Sequence, residues 1–116
     1  MSLDLLSPRA TTPESAAEPW TDAAAYWSAR TAAVAAVPGP VAAIDIDALR
    51  HNALDLVVRS SGVPVRVASK SIRVREVLDA TLALPGYQGV LAFTLPEALW
   101  LADDHDDIVL GYPTAD

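Results

Sequence analysis

The sequence predicts an α/β protein whose strands form a parallel sheet. Short apolar, strand-like runs alternate with helical stretches along residues 41–112, and this alternation is typical of βαβ units. The strand-like runs begin about 20 to 24 residues apart, which is the short repeat of a (β/α) barrel, although an open doubly wound sheet has a similar spacing. The chain has 116 residues, of which 52% are apolar, so it can form one modest core but not two full domains.

The amino-terminal region divides into two parts. Residues 1–19 hold three prolines among Ser, Thr and Glu, and because such a composition buries too little apolar surface to offset chain entropy, we expect a mobile, disordered arm. The alanine-rich stretch within residues 20–37 predicts a helix that Thr21 caps and that ends before Pro38-Gly39-Pro40. The α/β domain is therefore expected over residues 40–116.

Four strands and three helices are expected in that domain. The predicted strands are Val41–Ile46, Val65–Ala68, Gly89–Phe93 and Ile108–Tyr112. The predicted helices are one that Asp47 caps and that stops at Gly62, one over Ile72–Leu84, and one that Thr94 and Glu97 open as a capping box. Because the connections are short, right-handed crossovers would make neighbouring strands parallel.

Charge and composition exclude several classes of protein. Eight Lys and Arg residues against 15 Asp and Glu give a net charge of −7, which repels phosphate backbones and argues against nucleic-acid partners. The absence of cysteine excludes disulfides, thiolate zinc sites and cysteine nucleophiles. No stretch approaches the ~18 uncharged apolar residues of a membrane span, so we expect no membrane partner and a cytoplasmic location.

Lys70 is the candidate catalytic residue. It is the only lysine in the chain and directly follows the predicted strand Val65–Ala68 and Ser69. In parallel α/β folds the ligand crevice lies beyond the carboxyl ends of the strands. Unlike arginine, a lysine can lose its proton and become an amine nucleophile that forms a Schiff base.

A known family shares four segments of this sequence in the same order. The segments are VAAIDIDALRHNALDL, RVASKSIRV, GVLAFTLPEALWL and DIVLGYP. Together they resemble the amino-terminal domain of fold-type III pyridoxal-phosphate enzymes, which alanine racemase shares with the D-threonine aldolase and D-serine dehydratase group. The resemblance implies a TIM-type barrel in which Val65–Ala68 is the first strand, with Val41–Ile46 preceding it, and pyridoxal 5'-phosphate bound covalently to Lys70.

The resemblance also implies D-amino acid substrates and an aldolase- or deaminase-type lyase, or a racemase. Three further residues are candidate cofactor-binding groups. Arg66 shares the face of Lys70 on the strand, and its long side chain could reach towards the carboxyl end. Thr94 and Tyr112 end the next two strands at the same edge, although Thr94 also fits a helix cap. The acidic run 103–107 has metal-ligand residue types, but it lies at the opposite end of the sheet, so we interpret it as a solvated loop and expect no metal.

A complete TIM barrel needs about 250 residues and eight strands. The chain is therefore expected to be an amino-terminal fragment of such an enzyme, with three barrel strands and an open strand edge through which copies could associate. Two alternatives remain open. One is a non-catalytic pyridoxal-phosphate carrier, and the other is a small flavodoxin-like binding module, although the sequence has no Gly-rich nucleotide loop.

Overall fold

The computed structural model describes residues 3–6 and 19–112. They divide into two compact units, one of residues 19–45 and one of residues 3–6 with 46–112. The helices and strands are α1 Ala23–Val34, α2 Ile46–Arg59, β1 Val65–Ala68, α3 Arg75–Leu82, β2 Tyr87–Ala92, α4 Leu95–Leu101 and β3 Ile108–Leu110. None of the helices in these residues combines the length and apolar character needed to cross a membrane.

The smaller unit contains α1, which begins two residues later than predicted. Asp22, not Thr21, caps the helix, because its side chain accepts a hydrogen bond of 3.0 Å from the backbone N–H of Ala25. Farther along, Nε of Arg30 donates to Asp45 at 2.6 Å, and the guanidinium lies 4.0 Å from the ring centre of Tyr26. The hydrogen bond to Asp45 raises the pKa of Arg30. These contacts join the helix to the end of the segment that follows it.

The strand predicted at Val41–Ile46 does not form. Residues 41–45 have no regular secondary structure, and Ile46 is already the first residue of α2. Two of the six residues are alanine and one, Asp45, pairs with Arg30, and both residue types are poor strand formers. Asp47 lies in the first turn of α2 rather than at its cap, and the helix ends at Arg59 rather than at Gly62.

The larger unit is built on a parallel sheet, as predicted, with three strands in the order β1-β2-β3. Leu78 from α3 and Leu101 from α4 pack with Val90 and Ala92 of β2 in one buried cluster. Both connecting helices therefore cover the same face of the sheet. Truncating one of these leucines to alanine would cost about 2–5 kcal/mol of stability.

A second buried cluster attaches α2 and the amino-terminal residues to α3. Its buried members are Leu5, Ala53, Ala80 and Leu84. Leu5 is only 1% exposed, and its carbonyl accepts a hydrogen bond of 2.9 Å from Nε of Arg50. Leu5, within the stretch predicted to be a mobile arm, is thus part of an apolar contact. Residues 1–2 and 7–18 of that stretch lie outside the described residues, and the mobility of the arm stays a prediction.

The helix predicted over Ile72–Leu84 is shorter, running only from Arg75 to Leu82. A 3₁₀ turn, Ser69–Ser71, follows β1, and Ile72 and Val74 then have extended backbone. Both are β-branched, which favours the extended region. The third strand also stops earlier than predicted, at Leu110 rather than Tyr112.

The other face of the sheet carries none of these helix-packing side chains. Since Val90 and Ala92 point towards the helices, alternation along β2 places Gly89, Leu91 and Phe93 on the opposite face. The register of β2 with β1 and β3 shows which residues beside it share this face. This open face consists of Arg66 and Ala68 beside β2 on one side, Gly89, Leu91 and Phe93 in the middle, and Asp107 and Val109 on the other side.

Candidate functional site

The residues that follow the three strands meet at one edge of the sheet. Lys70 lies in the turn after β1, Phe93 directly follows β2, and Tyr112 follows β3 by two residues. Nζ of Lys70 is 5.7 Å from the ring centre of Phe93. The rings of Phe93 and Tyr112 meet edge to face, with centres 5.3 Å apart and planes at 73°. We call Lys70, Phe93 and Tyr112 the carboxyl-edge cluster.

The 3₁₀ turn determines where Lys70 points. Ser69 is 1% exposed, and its hydroxyl donates a hydrogen bond of 3.3 Å to the carbonyl of Leu91 in the neighbouring strand. The turn closes with a bond of 3.1 Å from the N–H of Ile72 to the carbonyl of Ser69. With Ser69 held inward, the next side chain, Lys70, is exposed just beyond the carboxyl end of β1. The sequence predicted this place beyond the strand, and covalent cofactor binding by Lys70 stays a prediction.

Phe93 is held by the helix that follows it. Glu97 accepts a hydrogen bond of 3.0 Å from the backbone N–H of Phe93, and its side chain is only 15% exposed. Nε of Arg73 lies 3.7 Å from the other oxygen of the same carboxylate. The sequence interpretation of Glu97 as a capping residue missed this contact with Phe93, and it did not single out Phe93 at all.

Thr94 lies at the same edge, but its hydroxyl has a local partner. It is the N-cap of α4 and accepts a hydrogen bond of 3.4 Å from the N–H of Glu97. Only half of the capping box predicted from Thr94 and Glu97 forms, because the carboxylate accepts from the N–H of Phe93 and not from that of the cap residue. A cofactor contact of Thr94 stays a prediction. Tyr112 is 60% exposed and packs on Phe93, and its predicted contact with a cofactor stays a prediction.

Arg66 pairs with a carboxylate at the amino edge, and its predicted part in binding a cofactor stays a prediction. Its guanidinium makes a two-pronged ion pair with Asp107, with Nη1–Oδ1 and Nη2–Oδ2 distances of 2.6 and 3.1 Å. Nη1 also donates to the backbone carbonyl of Asp107 at 3.2 Å. The hydrogen bond from Arg66 lowers the pKa of Asp107. A fixed carboxylate with matching geometry thus holds Arg66 at the amino edge.

Gly89 makes that ion pair possible, because Arg66 and Asp107 belong to opposite sides of β2 and meet above it. A Cβ atom on Gly89 would lie 2.6 Å from both Cγ and the backbone oxygen of Asp107, and it would also strike Nη1 of Arg66. Gly89 has φ of +69° and sits where the β1–β2 register shifts. An isolated glycine inside a strand pattern is the sequence signal for such a bulge or close approach.

The acidic run 103–107 is more strongly engaged than a solvated loop. Besides Asp107, Asp104 pairs with Arg75 at the start of α3. Nε2 of His105 lies 3.2 Å from Oδ1 of Asp79, but the two atoms are not oriented for a hydrogen bond. Among residues 3–6 and 19–112, no three His, Asp or Glu side chains are arranged to hold a metal ion. The run therefore ties the β3 side of the unit to β1 and α3.

A separate apolar cavity of about 210 Å³ lies between α2, β1 and α3. Leu49, Leu56, Val67 and Ile72 are among its lining residues, and no member of the carboxyl-edge cluster is. The cavity and the exposed amine are therefore different places on the same unit.

Comparison with known proteins adds no relative. No protein-family model matches the chain, and no curated protein or solved structure matches it either. The resemblance to fold-type III pyridoxal-phosphate enzymes is thus supported only by the four sequence segments that carry it. Function has to be inferred from the carboxyl-edge cluster and its chemistry.

Proposed function

We propose that this chain binds pyridoxal 5'-phosphate covalently through Lys70, as part of an enzyme that acts on D-amino acids. The observation that carries the proposal is the placement of the only lysine: it is exposed at the carboxyl edge of a parallel sheet, against the ring of Phe93. That edge is where α/β folds bind ligands. The proposed reaction is aldol cleavage or deamination by a lyase, or racemisation.

The residues of the carboxyl-edge cluster fit an aromatic aldehyde. Nζ of Lys70 can bond to the aldehyde carbon while the aldehyde oxygen leaves as water. No carboxylate of the described residues pairs with Lys70, so its amine is not already committed to an ion pair. Phe93 and Tyr112 offer aromatic surface next to the amine.

Each part of the chain has a role in this proposal. When bound, pyridoxal phosphate supplies an electron sink for charge that develops at the α-carbon of the substrate. Lys70 holds the cofactor and, once released by substrate, is placed to move a proton at that carbon. The turn Ser69–Ser71 orients the amine outward, and Tyr112, 60% exposed, forms the outer wall of the cluster.

The sheet order is consistent with the finer fold proposal. In a (β/α) barrel, consecutive strands are neighbours and every helix packs on the outside. The order β1-β2-β3, with α3 and α4 on one face, has this arrangement. We therefore propose that the three strands are the first strands of a TIM-type barrel and that the open face is the side that would point into it.

A titration of the full chain with pyridoxal phosphate tests the proposal. The wild-type protein should develop the visible absorbance of a covalent adduct at one equivalent, and its mass should increase by that of one cofactor minus one water. Lys70→Arg keeps the positive charge but cannot form the adduct, so it is the matched control, and Lys70→Ala should behave like it. Blocking the α-amine of Met1 removes the other primary amine. Equal adduct in wild type and Lys70→Arg would overturn the proposal.

A non-catalytic carrier is the second candidate, favoured by one observation. Among the described residues, the group that contacts Nζ of Lys70 is an aromatic ring and not an acid or a base. Loaded protein incubated with D-serine, D-threonine or D-alanine in heavy water separates the two. Exchange of the α-proton or product formation supports the enzyme, and binding without either supports the carrier.

A further inference from the structure

Phe93 is the most firmly held part of the carboxyl-edge cluster. Its backbone N–H is bonded to a carboxylate of Glu97 that is only 15% exposed, and its ring rests edge-on against Tyr112. Phe93 itself is half-buried and directly continues β2. The helix therefore fixes the backbone of Phe93 through Glu97, and Tyr112 contacts its ring.

Lys70, by contrast, carries its amine on a flexible stem of four methylenes. An exposed lysine without a partner samples many rotamers. Nζ lies 5.7 Å from the ring centre of Phe93, within the ~6 Å over which a ring attracts an ammonium group. No other aromatic ring among the described residues is recorded against this amine. The ring of Phe93 is thus what restricts the flexible amine.

We infer that Phe93 is the positioning residue for Lys70. The ring of Phe93 holds the amine at the carboxyl edge and thereby fixes the orientation of an aromatic aldehyde attached there. The inference rests on the proposed function for its ligand, but the contact itself does not depend on the ligand. Phe93 acts through Lys70 and takes no part in bond making.

The sequence makes the contact directly measurable, because the chain has one lysine and one phenylalanine. Selective labelling of both residue types gives one lysine and one phenylalanine spin system. In the unliganded wild-type protein we expect a nuclear Overhauser effect between the ring protons and the ε-methylene of Lys70. Its absence would overturn the inference, whether or not any variant folds.

Two substitutions test the positioning itself. Phe93→Leu keeps apolar volume but removes the aromatic face, and Phe93→Tyr keeps the face. After loading with pyridoxal phosphate and quantifying the adduct by mass, visible circular dichroism per mole of adduct reports how uniquely the cofactor is oriented. We expect this signal to fall roughly two- to five-fold in Phe93→Leu, the population ratio that a cation–π contact maintains, and to stay near the wild-type value in Phe93→Tyr.

The outcomes separate this inference from the proposed function. If wild type forms no adduct at Lys70, the proposed function fails, and the inference is then judged without ligand by the order parameter of the lysine ε-methylene. That parameter should fall in Phe93→Leu and be preserved in Phe93→Tyr. Equal dichroism per adduct, or equal order parameters, in wild type and Phe93→Leu would overturn the inference while leaving covalent binding intact.

Discussion

Two basic side chains, one at the amino edge and one at the carboxyl edge of the same sheet, have different partners. Arg66 at the amino edge is held by three hydrogen bonds to Asp107. Lys70, four positions later, is exposed and contacts the ring of Phe93. A fixed carboxylate thus holds the guanidinium of Arg66 in place, whereas no carboxylate of the described residues pairs with the amine of Lys70.

The middle strand sets this difference. On the open face of β2, Gly89 leaves a gap at the amino edge through which Arg66 and Asp107 meet. At the carboxyl edge the equivalent place is filled by Phe93. A missing side chain thus allows a closed ion pair, while a large ring provides a surface on which an amine can rest.

The largest effect is expected from Gly89→Val, which removes the gap. The new side chain would combine a positive φ with a clash against Asp107. We expect the free energy of unfolding to fall by about 2–6 kcal/mol, since backbone strain of roughly 1–3 kcal/mol adds to a steric cost of similar size. Urea denaturation measures it.

Gly62→Val is the matched control for this prediction. Gly62 also has a positive φ, +89°, but nothing lies within 4 Å of its Cβ position. The control should therefore show only the strain of roughly 1–3 kcal/mol. Equal losses in the two variants would mean that the close approach over Gly89 contributes nothing.

A smaller effect is expected from Asp107→Asn, and it should depend on pH. The hydrogen bond from Arg66 lowers the pKa of Asp107 below its ordinary value of 3.8. The ion pair therefore stabilises the folded state above pH 3.8, and this contribution is lost as the pH falls through the folded-state pKa. Urea midpoints of wild type and variant should differ at pH 7 and converge below pH 3.8.

Asp106→Asn serves as the control, since Asp106 is exposed and has no recorded cationic partner among the described residues. It should follow the wild-type profile at every pH. A gap between wild type and Asp107→Asn that persists unchanged into acid would rule out the carboxylate charge as its source.

The smallest effect, at the carboxyl edge, is expected from Thr94→Ala. Removing the cap of α4 should cost about 1 kcal/mol of stability, because the hydroxyl accepts the N–H of Glu97. Adduct formation at Lys70 should be unchanged. A loss of cofactor affinity larger than the loss of stability would show that Thr94 also contacts the ligand.

Strands with β-branched or apolar runs were predictable from the sequence, and so was their parallel order. The strand Val65–Ala68 forms with the predicted bounds, and Lys70 therefore lies just beyond a carboxyl end, as the sequence predicted. The absence of a strand at Val41–Ile46 was not predictable from the local pattern. That pattern resembles a strand, but the segment is alanine-rich and ends at an aspartate that pairs with Arg30, a contact between residues distant in sequence.

The position of the Arg66 guanidinium could not be predicted from the sequence pattern. Alternation along a strand predicts the face of a residue, but it does not say which way a long side chain bends. That direction depends on Asp107, 41 residues later, and on the gap at Gly89. Phe93 was not predicted as a site residue, because a single aromatic residue in a strand usually indicates core packing. Only the fold brings its ring close to the amine of Lys70.

The central claim, that the amine at the carboxyl edge, which no carboxylate of the described residues faces, is the one that reacts, can be tested within one protein. Arg66→Lys places a second lysine on the same face, opposite Asp107. The variant is loaded with pyridoxal phosphate, reduced with borohydride and mapped by mass spectrometry, with the α-amine of Met1 counted separately. The account predicts labelling at Lys70 and little at the introduced lysine. Equal labelling of the two lysines, or preferential labelling of the introduced one, would contradict it.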